Sequence, residues 1–278
     1  MPASPVKTLP GRAAPVSLRC AAASLLLMLA SAAATPCAPI RVGIINHERP
    51  PYYLDNGTAD TPPRGASVDL IKAIADSVGC PVILVRLPLA RIRTALAAGL
   101  IDFSPVESQS GDADGIAFPL DRNGQLDWEK SVVATTVVFV RSGDGLAPDT
   151  EPAHYFQGRS LGISHGTPYV QPLRQAGIRI DDGAIDVARN FDKLRRRRID
   201  GFALTLSMPG AMDRFVETHY GKEVVRLARP LKTANVWLLA NRGYYREHPE
   251  QVEAMWRWLS NYGRAHFVEL IKKYSKEP

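Results

Sequence analysis

The chain has 278 residues, with 34 basic against 28 acidic side chains and a formal net charge of +6. With 45% hydrophobic and 22% charged residues it has the composition of a globular protein, not of a disordered or collagen-like one. Three basic residues lie in the first 34, whose removal leaves +3, so the cationic balance carries no nucleic-acid signal.

Lys7, Arg12 and Arg19 precede the apolar run "AAASLLLMLASAAA" at Ala21–Ala34. This is the pattern of a secretory signal peptide over residues 1–34, with cleavage expected after Ala32 or Ala34. The run is 14 residues long, short of the roughly 20 that span a bilayer; an uncleaved anchor is the alternative. Ala34-Thr35-Pro36 is a poor lipobox for Cys37. Export implies a periplasmic address. Cys20 leaves with the leader, and Cys37 and Cys80 remain. Each stands just before an apolar strand-like run. If those strands are parallel neighbours, the two cysteines share one sheet end and can bridge; two buried free thiols are the alternative.

A first strand is predicted at Ile40–Asn46, and a helix at Ser67–Val78 with Val68, Ile71, Ala75 and Val78 on one face. Val82–Leu87 reads as a buried parallel strand. Leu89, Ile92 and Leu96 mark a second helix stopped by Gly99, and a third strand begins at Leu100–Phe103. This β-α-β-α-β order implies a parallel sheet. Residues 104–130 are polar and turn-rich, followed by a long strand at Ser131–Arg141. A second alternation follows: strand Ser160–Ser164, helix Pro168–Ala176, strand Ile178–Asp181, helix Ile185–Arg197, strand Gly201–Leu206, helix Gly210–Tyr220, strand Val224–Leu227. A strand at Asn235–Ala240 precedes a helical region, Pro249–Lys273, with a bend expected near Gly263.

Two alternations predict an α/β chain of two lobes with separate sheets, each mostly parallel and flanked by helices. The crossings fall at Ser131–Arg141 and Leu231–Ala240, giving lobe one as 38–137 and 236–278 and lobe two as 138–235. Ligands of open α/β sheets bind beyond the carboxyl ends of the strands, so facing sheets create a cleft for a small molecule.

Tyr52 and Tyr53 follow two prolines at the end of the first strand and are candidates to line that cleft; core packing is the alternative. Gly166-Thr167 opens a predicted helix, where free N–H groups suit an anion, or Thr167 simply caps it. "GISHG" also fits G-x-S-x-G, which would make Ser164 a nucleophile with Asp200 and His219 or His248; the two-lobed pattern argues against a single hydrolase sheet. The six histidines show no metal-ligand spacing, so no metal and no cofactor is expected. Arg195–Arg198 reads as a solvated helix end, and Trp256 and Trp258 as packing residues. Glu48, Glu107, Asp112 and Asp114 are loop charges or contacts for a cationic group.

The stretch "RVGIINHERPPYY…GASVDLIKAIADSVGCPVILVRLP…ALAAGLIDF" resembles the N-terminal lobe of family 3 periplasmic solute-binding proteins, the receptors of polar amino-acid-type ABC importers. Pro50-Pro51-Tyr52, Gly65, Asp69-Leu70, Ala73-Ile74-Ala75, Leu96, Gly99 and Asp102 fill that pattern. "GRSLGISHGTPY" and "LRRRRIDGFALT" are similar to the second lobe, with Arg197 where glycine is usual. The resemblance implies the type II binding-protein fold and a monomeric receptor. Such a receptor captures a small polar metabolite, amino-acid-like or an organic acid, by hinge closure and delivers it to an inner-membrane permease without chemistry. A cyclohexadienyl-dehydratase-like enzyme using Glu107, or a stand-alone sensor, are the alternatives on the same fold. Typical amino-acid binders have an Arg after the third strand, where this chain reads "VESQSGDADGIAFP", and an Asp where it has Thr205. "LPLARIRTAL" is similar to a subgroup with P-x-x-R, making Arg91 a replacement clamp. The expected contacts are therefore Tyr52, Arg91, Glu107, Ser108, Gly166, Thr167 and Thr205.

Overall fold

A computed structural model describes residues 1–5, 11, 37–54, 62–108 and 111–277. Most of the predicted signal segment, including Ala21–Ala34, lies outside the described residues. Cys37–Pro278 forms one compact unit.

The chain alternates as the apolar periodicity requires. β1 (Ile40–Ile45) leads through α1 (Ala66–Asp76) to β2 (Val82–Leu87), then through α2 (Leu89–Ala97) to β3 (Phe103–Glu107). β1 lies between β2 and β3, parallel to both, with Ile40 opposite Val82 and Val42 opposite Phe103. The cysteines that precede β1 and β2 therefore sit together and are bonded, Cα to Cα 4.9 Å. Asp102, from the L-x-x-G-x-x-D pattern, is structural: it accepts from the Arg41 backbone N–H at 2.7 Å and from its guanidinium at 2.6 Å. β4 (Ile116–Ala117) precedes the long strand β5 (Ser131–Arg141).

After α3 (Pro152–Tyr155) the second alternation runs β6 (Ser160–Ser164), α4 (Val170–Gln175), β7 (Arg179–Ala184), α5 (Val187–Arg195), β8 (Gly201–Leu206), α6 (Asp213–Tyr220) and β9 (Val224–Arg226). β6 is parallel to both β7 and β8. Helix α5 is capped by Arg196 and followed by Arg197, which adopts φ 56 at the position where a left-handed glycine usually terminates a helix. β10 (Lys232–Asn241) returns to the first alternation, and α7 (Arg242–Glu247), α8 (Pro249–Trp258) and α9 (Arg264–Tyr274) complete the chain. The bend expected near Gly263 is a π-helical turn at Leu259–Gly263 between α8 and α9. Trp256 is fully buried and donates its indole N–H to the Leu238 carbonyl at 2.6 Å.

The expected separation of the two sheets is corrected. The strands form one hydrogen-bonded path, β2-β1-β3-β10-β5-β8-β6-β7. The cause is the pair of long strands: β10 and β5 are antiparallel from Lys232↔Thr136 to Trp237↔Ser131, while β10 also pairs β3 and β5 also pairs β8. Continuing the ladder through the crossing satisfies backbone groups that two broken sheets would leave unpaired. The two-lobed α/β architecture stands, as a curled mixed sheet with flanking helices. The apolar core does not divide with it: one large cluster takes in Ile44, Leu96, Trp237 and Trp256 together with Phe191 and Phe202 of the second alternation, and a smaller one holds Val138, Phe156, Leu161 and Ile163.

Candidate ligand-binding site

The carboxyl ends of β1, β3, β6 and β8 converge on a cavity of about 390 Å³. Ile44, Ile45, Glu107, Ser164, Leu204 and Thr205 line it from these strands. Its walls are otherwise largely apolar, with Leu70, Leu89, Val236 and Phe267 among them.

The loop after β1 folds into a tight turn. The Arg49 and Tyr53 backbones pair in both directions, at 2.8 and 2.9 Å, across the Pro50–Pro51 step. Gly65 lets α1 start against this turn: a Cβ there would lie 2.4 Å from the Tyr52 carbonyl oxygen, and its φ is +126. The Ala66 and Ser67 N–H groups donate to the Pro51 and Tyr52 carbonyls. Arg49, Tyr52 and Tyr53 are thereby fixed at the cavity wall.

Tyr52 is only 4% exposed and lines the cavity. Its hydroxyl reaches across to the loop after β8 and accepts the Ser207 N–H at 2.9 Å and the Met208 N–H at 3.2 Å. Burial pushes its pKa up to about 12, so the phenol stays protonated at neutral pH. Its ring packs on Phe267, centroids 5.9 Å apart. Two further contacts cross the same gap. Lys232 on β10 pairs with Glu107 on β3 at 2.5 Å, and its ammonium stands 4.2 Å from the centre of the Tyr169 ring. Gly166, beyond β6, sits against the first turn of α2.

Thr205 joins a cluster of hydroxyls: its Oγ1 is 2.9 Å from Thr136 Oγ1 and 2.7 Å from Tyr169 Oη. Gly166 and Thr167 line the cavity, but as a turn and not as a helix N-terminus. Helix α4 starts only at Val170 and is six residues long. Gly166 takes φ 82, and the Thr167 hydroxyl donates to the Ser164 carbonyl at 2.7 Å, which orders the turn ahead of the helix. A Cβ on Gly166 would lie 2.6 Å from the Ala90 backbone nitrogen. Gly166→Ala is therefore expected to hold the cleft open, read as a larger radius of gyration by small-angle scattering than the parent protein shows. An unchanged radius would mean that α2 gives way instead.

Two expected contacts lie elsewhere. Arg91 is exposed and outside the cavity lining, whereas Leu89, Ala90 and Arg93 are in it. The reason is helical phase: Leu89 and Arg93 are four residues apart on one face of α2, and Arg91 lies on the opposite side. Ser108 is buried just after β3 and is also outside the lining. Glu48, Asp112 and Asp114 are exposed and do not line the cavity. Arg195–Arg198 is exposed, with Arg195 paired to Glu223 at 2.8 Å. The triad reading of Ser164 fails on geometry. Its hydroxyl is buried without a hydrogen-bond partner, Asp200 accepts the Ser160 N–H instead, and His219 is exposed against Phe215.

The residue that sequence reasoning passed over is Arg49. It lines the cavity, its Nε is buried without a hydrogen-bond partner, and among the described residues no carboxylate pairs with it. Burial holds its pKa below the usual arginine value, with Tyr53, Tyr169 and Tyr52 opposing the shift. The signal was in the sequence: "ERPPYY" places a cation in the same braced turn that singled out the tyrosines. Next to it, His47 is 8% exposed with neither ring nitrogen hydrogen-bonded. Burial and then the Arg49 charge lower its pKa to about 4, against a smaller opposing effect of Asp186.

The chain matches no family model and no curated protein. Solved structures do match. A mutant of the arginine-binding protein ArgBP from T. maritima superposes with a TM-score of 0.62 at 20% identity, over 86% of this chain and 95% of that one. AbpA of Streptococcus pneumoniae, an amino acid ABC transporter substrate-binding protein bound to L-arginine, gives 0.64 at 15% identity, over 86% and 94%. The ancestral amino-acid-binding protein AncCDT-1, a precursor of cyclohexadienyl dehydratase, gives 0.61 at 17% identity, over 86% and 96%. At such identities what is shared is the fold: this chain has the two-lobed α/β architecture of these amino-acid-binding proteins.

Proposed function

We propose that the protein is a divergent family 3 solute-binding receptor. It captures a small polar metabolite in the cleft between lobe one (38–137 and 236–278) and lobe two (138–235), after export to the periplasm. The observation that carries this reading is the cavity at the strand ends, bridged by Tyr52 to Ser207 and Met208 and by Glu107 to Lys232. Contacts made only when two lobes meet favour the closed state, and a ligand inside adds to them, as hinge closure requires. Delivery to an inner-membrane permease by the closed monomer follows from the same likeness. Tyr52, Glu107, Gly166, Thr167 and Thr205 are retained as contacts, with Arg93 in place of Arg91.

Binding without chemistry is preferred to a dehydratase. A proton donor needs a carboxylic acid held neutral. Glu107 is the carboxylate in the lining, and Lys232 is paired to it.

The test is a thermal-shift screen of the purified protein against amino acids, organic acids, polyamines and sugars, with mass spectrometry of the hits. A hit at a hundred times its Kd raises stability by about 2.7 kcal/mol and is recovered unchanged. A hit that is consumed would refute the receptor reading in favour of an enzyme, and silence across all four classes would remove its support.

A further inference from the structure

Resting on the receptor reading, we infer that the ligand is an organic anion, a carboxylate on a mainly apolar body without an ammonium group, and that Arg49 holds its charge.

Three observations carry this. First, a guanidinium with a buried, unpartnered Nε faces the cavity. A charge left unpaired in a low-dielectric site costs free energy, and a carboxylate matches its planar fork. Second, the opposite pole is occupied. An α-amino acid also needs an anion for its ammonium group, and the lining's carboxylate, Glu107, is held by Lys232 at 2.5 Å. Lys232 is itself seated over Tyr169, so the lining's carboxylate already has a lysine ammonium as its partner. Third, Arg93 adds a second cation at the wall, while Ile45, Leu70, Leu89 and Val236 supply apolar surface. The charged groups of the lining are thus two cations and one neutralised carboxylate, set among hydrocarbon and hydroxyls. Ser164 offers the ligand one more group, a buried hydroxyl with no hydrogen-bond partner among the described residues.

The assignment also accounts for closure. Arg49 belongs to the turn after β1 and Ser164 to the end of β6, on the two sides of the cleft. A ligand that contacts both is bound fully only when the lobes meet.

The experiment is calorimetry with matched probes on the full chain. The anions are benzoate, hexanoate and 3-phenylpropanoate; the zwitterions are norleucine and phenylalanine; the amines are hexylamine and 2-phenylethylamine. At least one anion is expected to bind, at least about tenfold more tightly than its zwitterionic counterpart, with no heat from the amines. Arg49→Gln should weaken the anion about a hundredfold, and Arg49→Lys should retain part of the affinity. Arg49→Gln should also raise the melting temperature of the ligand-free protein, which separates lost binding from lost folding. A zwitterion or amine that binds equally well to Arg49→Gln would overturn the anion assignment and leave the receptor reading standing. Silence of every probe overturns the assignment, and the receptor reading falls only if the broader thermal-shift screen is silent too.

Discussion

Opening the Cys37–Cys80 bond is expected to lower the stability of the protein by about 4 kcal/mol. The bridge closes a segment of 43 residues that includes β1 and α1 and ends just before β2. In the chain-entropy treatment a loop of that size restricts the unfolded ensemble by that amount, a large share of the 5–15 kcal/mol typical of folded domains. The effect on the binding site should be small. The bridge sits at the start of β1 and β2, and Arg49 follows the end of β1; six residues of strand at about 3.3 Å each put some 20 Å between them. Urea denaturation with and without reductant measures the difference, and Cys37→Ala with Cys80→Ala should reproduce the reduced value. A loss below about 1 kcal/mol would show that the unfolded chain is already restricted there. Unchanged ligand affinity in the reduced protein would separate the stabilising end of the sheet from the functional end.

The second large effect is a fall in stability with acid, centred on His47. Its folded-state pKa is about 4, against about 6.5 in the unfolded chain. Between those values the unfolded state binds the extra proton, so stability rises with pH across the window. The contribution is fully present above about pH 6.5 and is lost as pH falls toward 4. A shift of that size corresponds to about 3 kcal/mol. Desolvation of the ring is the main cause, the Arg49 charge adds to it, and Asp186 offsets a smaller part. Melting curves from pH 8 to pH 4 should therefore show a slope that His47→Gln largely removes. An identical slope in that variant would place the acid sensitivity elsewhere. Because an anion beside Arg49 weakens the repulsion felt by an imidazolium, saturation with whichever of the three anions binds should move the His47 transition to higher pH.

Much of the element order was readable because it follows from local periodicity. Apolar runs of six residues gave β1 and β2, and helical spacing gave α1 with Val68, Ile71 and Ala75 buried. The disulfide was legible once the two strands were taken as parallel neighbours. Arg91 was not placed correctly because a motif letter does not fix a helix's rotation. The residue two positions on, Arg93, carries the cleft-facing phase. Gly166-Thr167 read as a helix start because the sequence does not reveal that Thr167 spends its hydroxyl on Ser164 and delays the helix to Val170.

By itself the sequence determined the two β-α alternations, their order, and the cysteines brought together at one end of β1 and β2. These depend on side-chain periodicity and short-range turn chemistry, which are properties of neighbouring residues. Only the tertiary structure decided that the sheet runs unbroken through β5 and β10, that Lys232 neutralises Glu107, and that Arg49 has no paired carboxylate among the described residues. Lys232 and Glu107 are 125 residues apart. Which charges meet across such a distance depends on strand register and lobe closure, and no local pattern encodes that pairing.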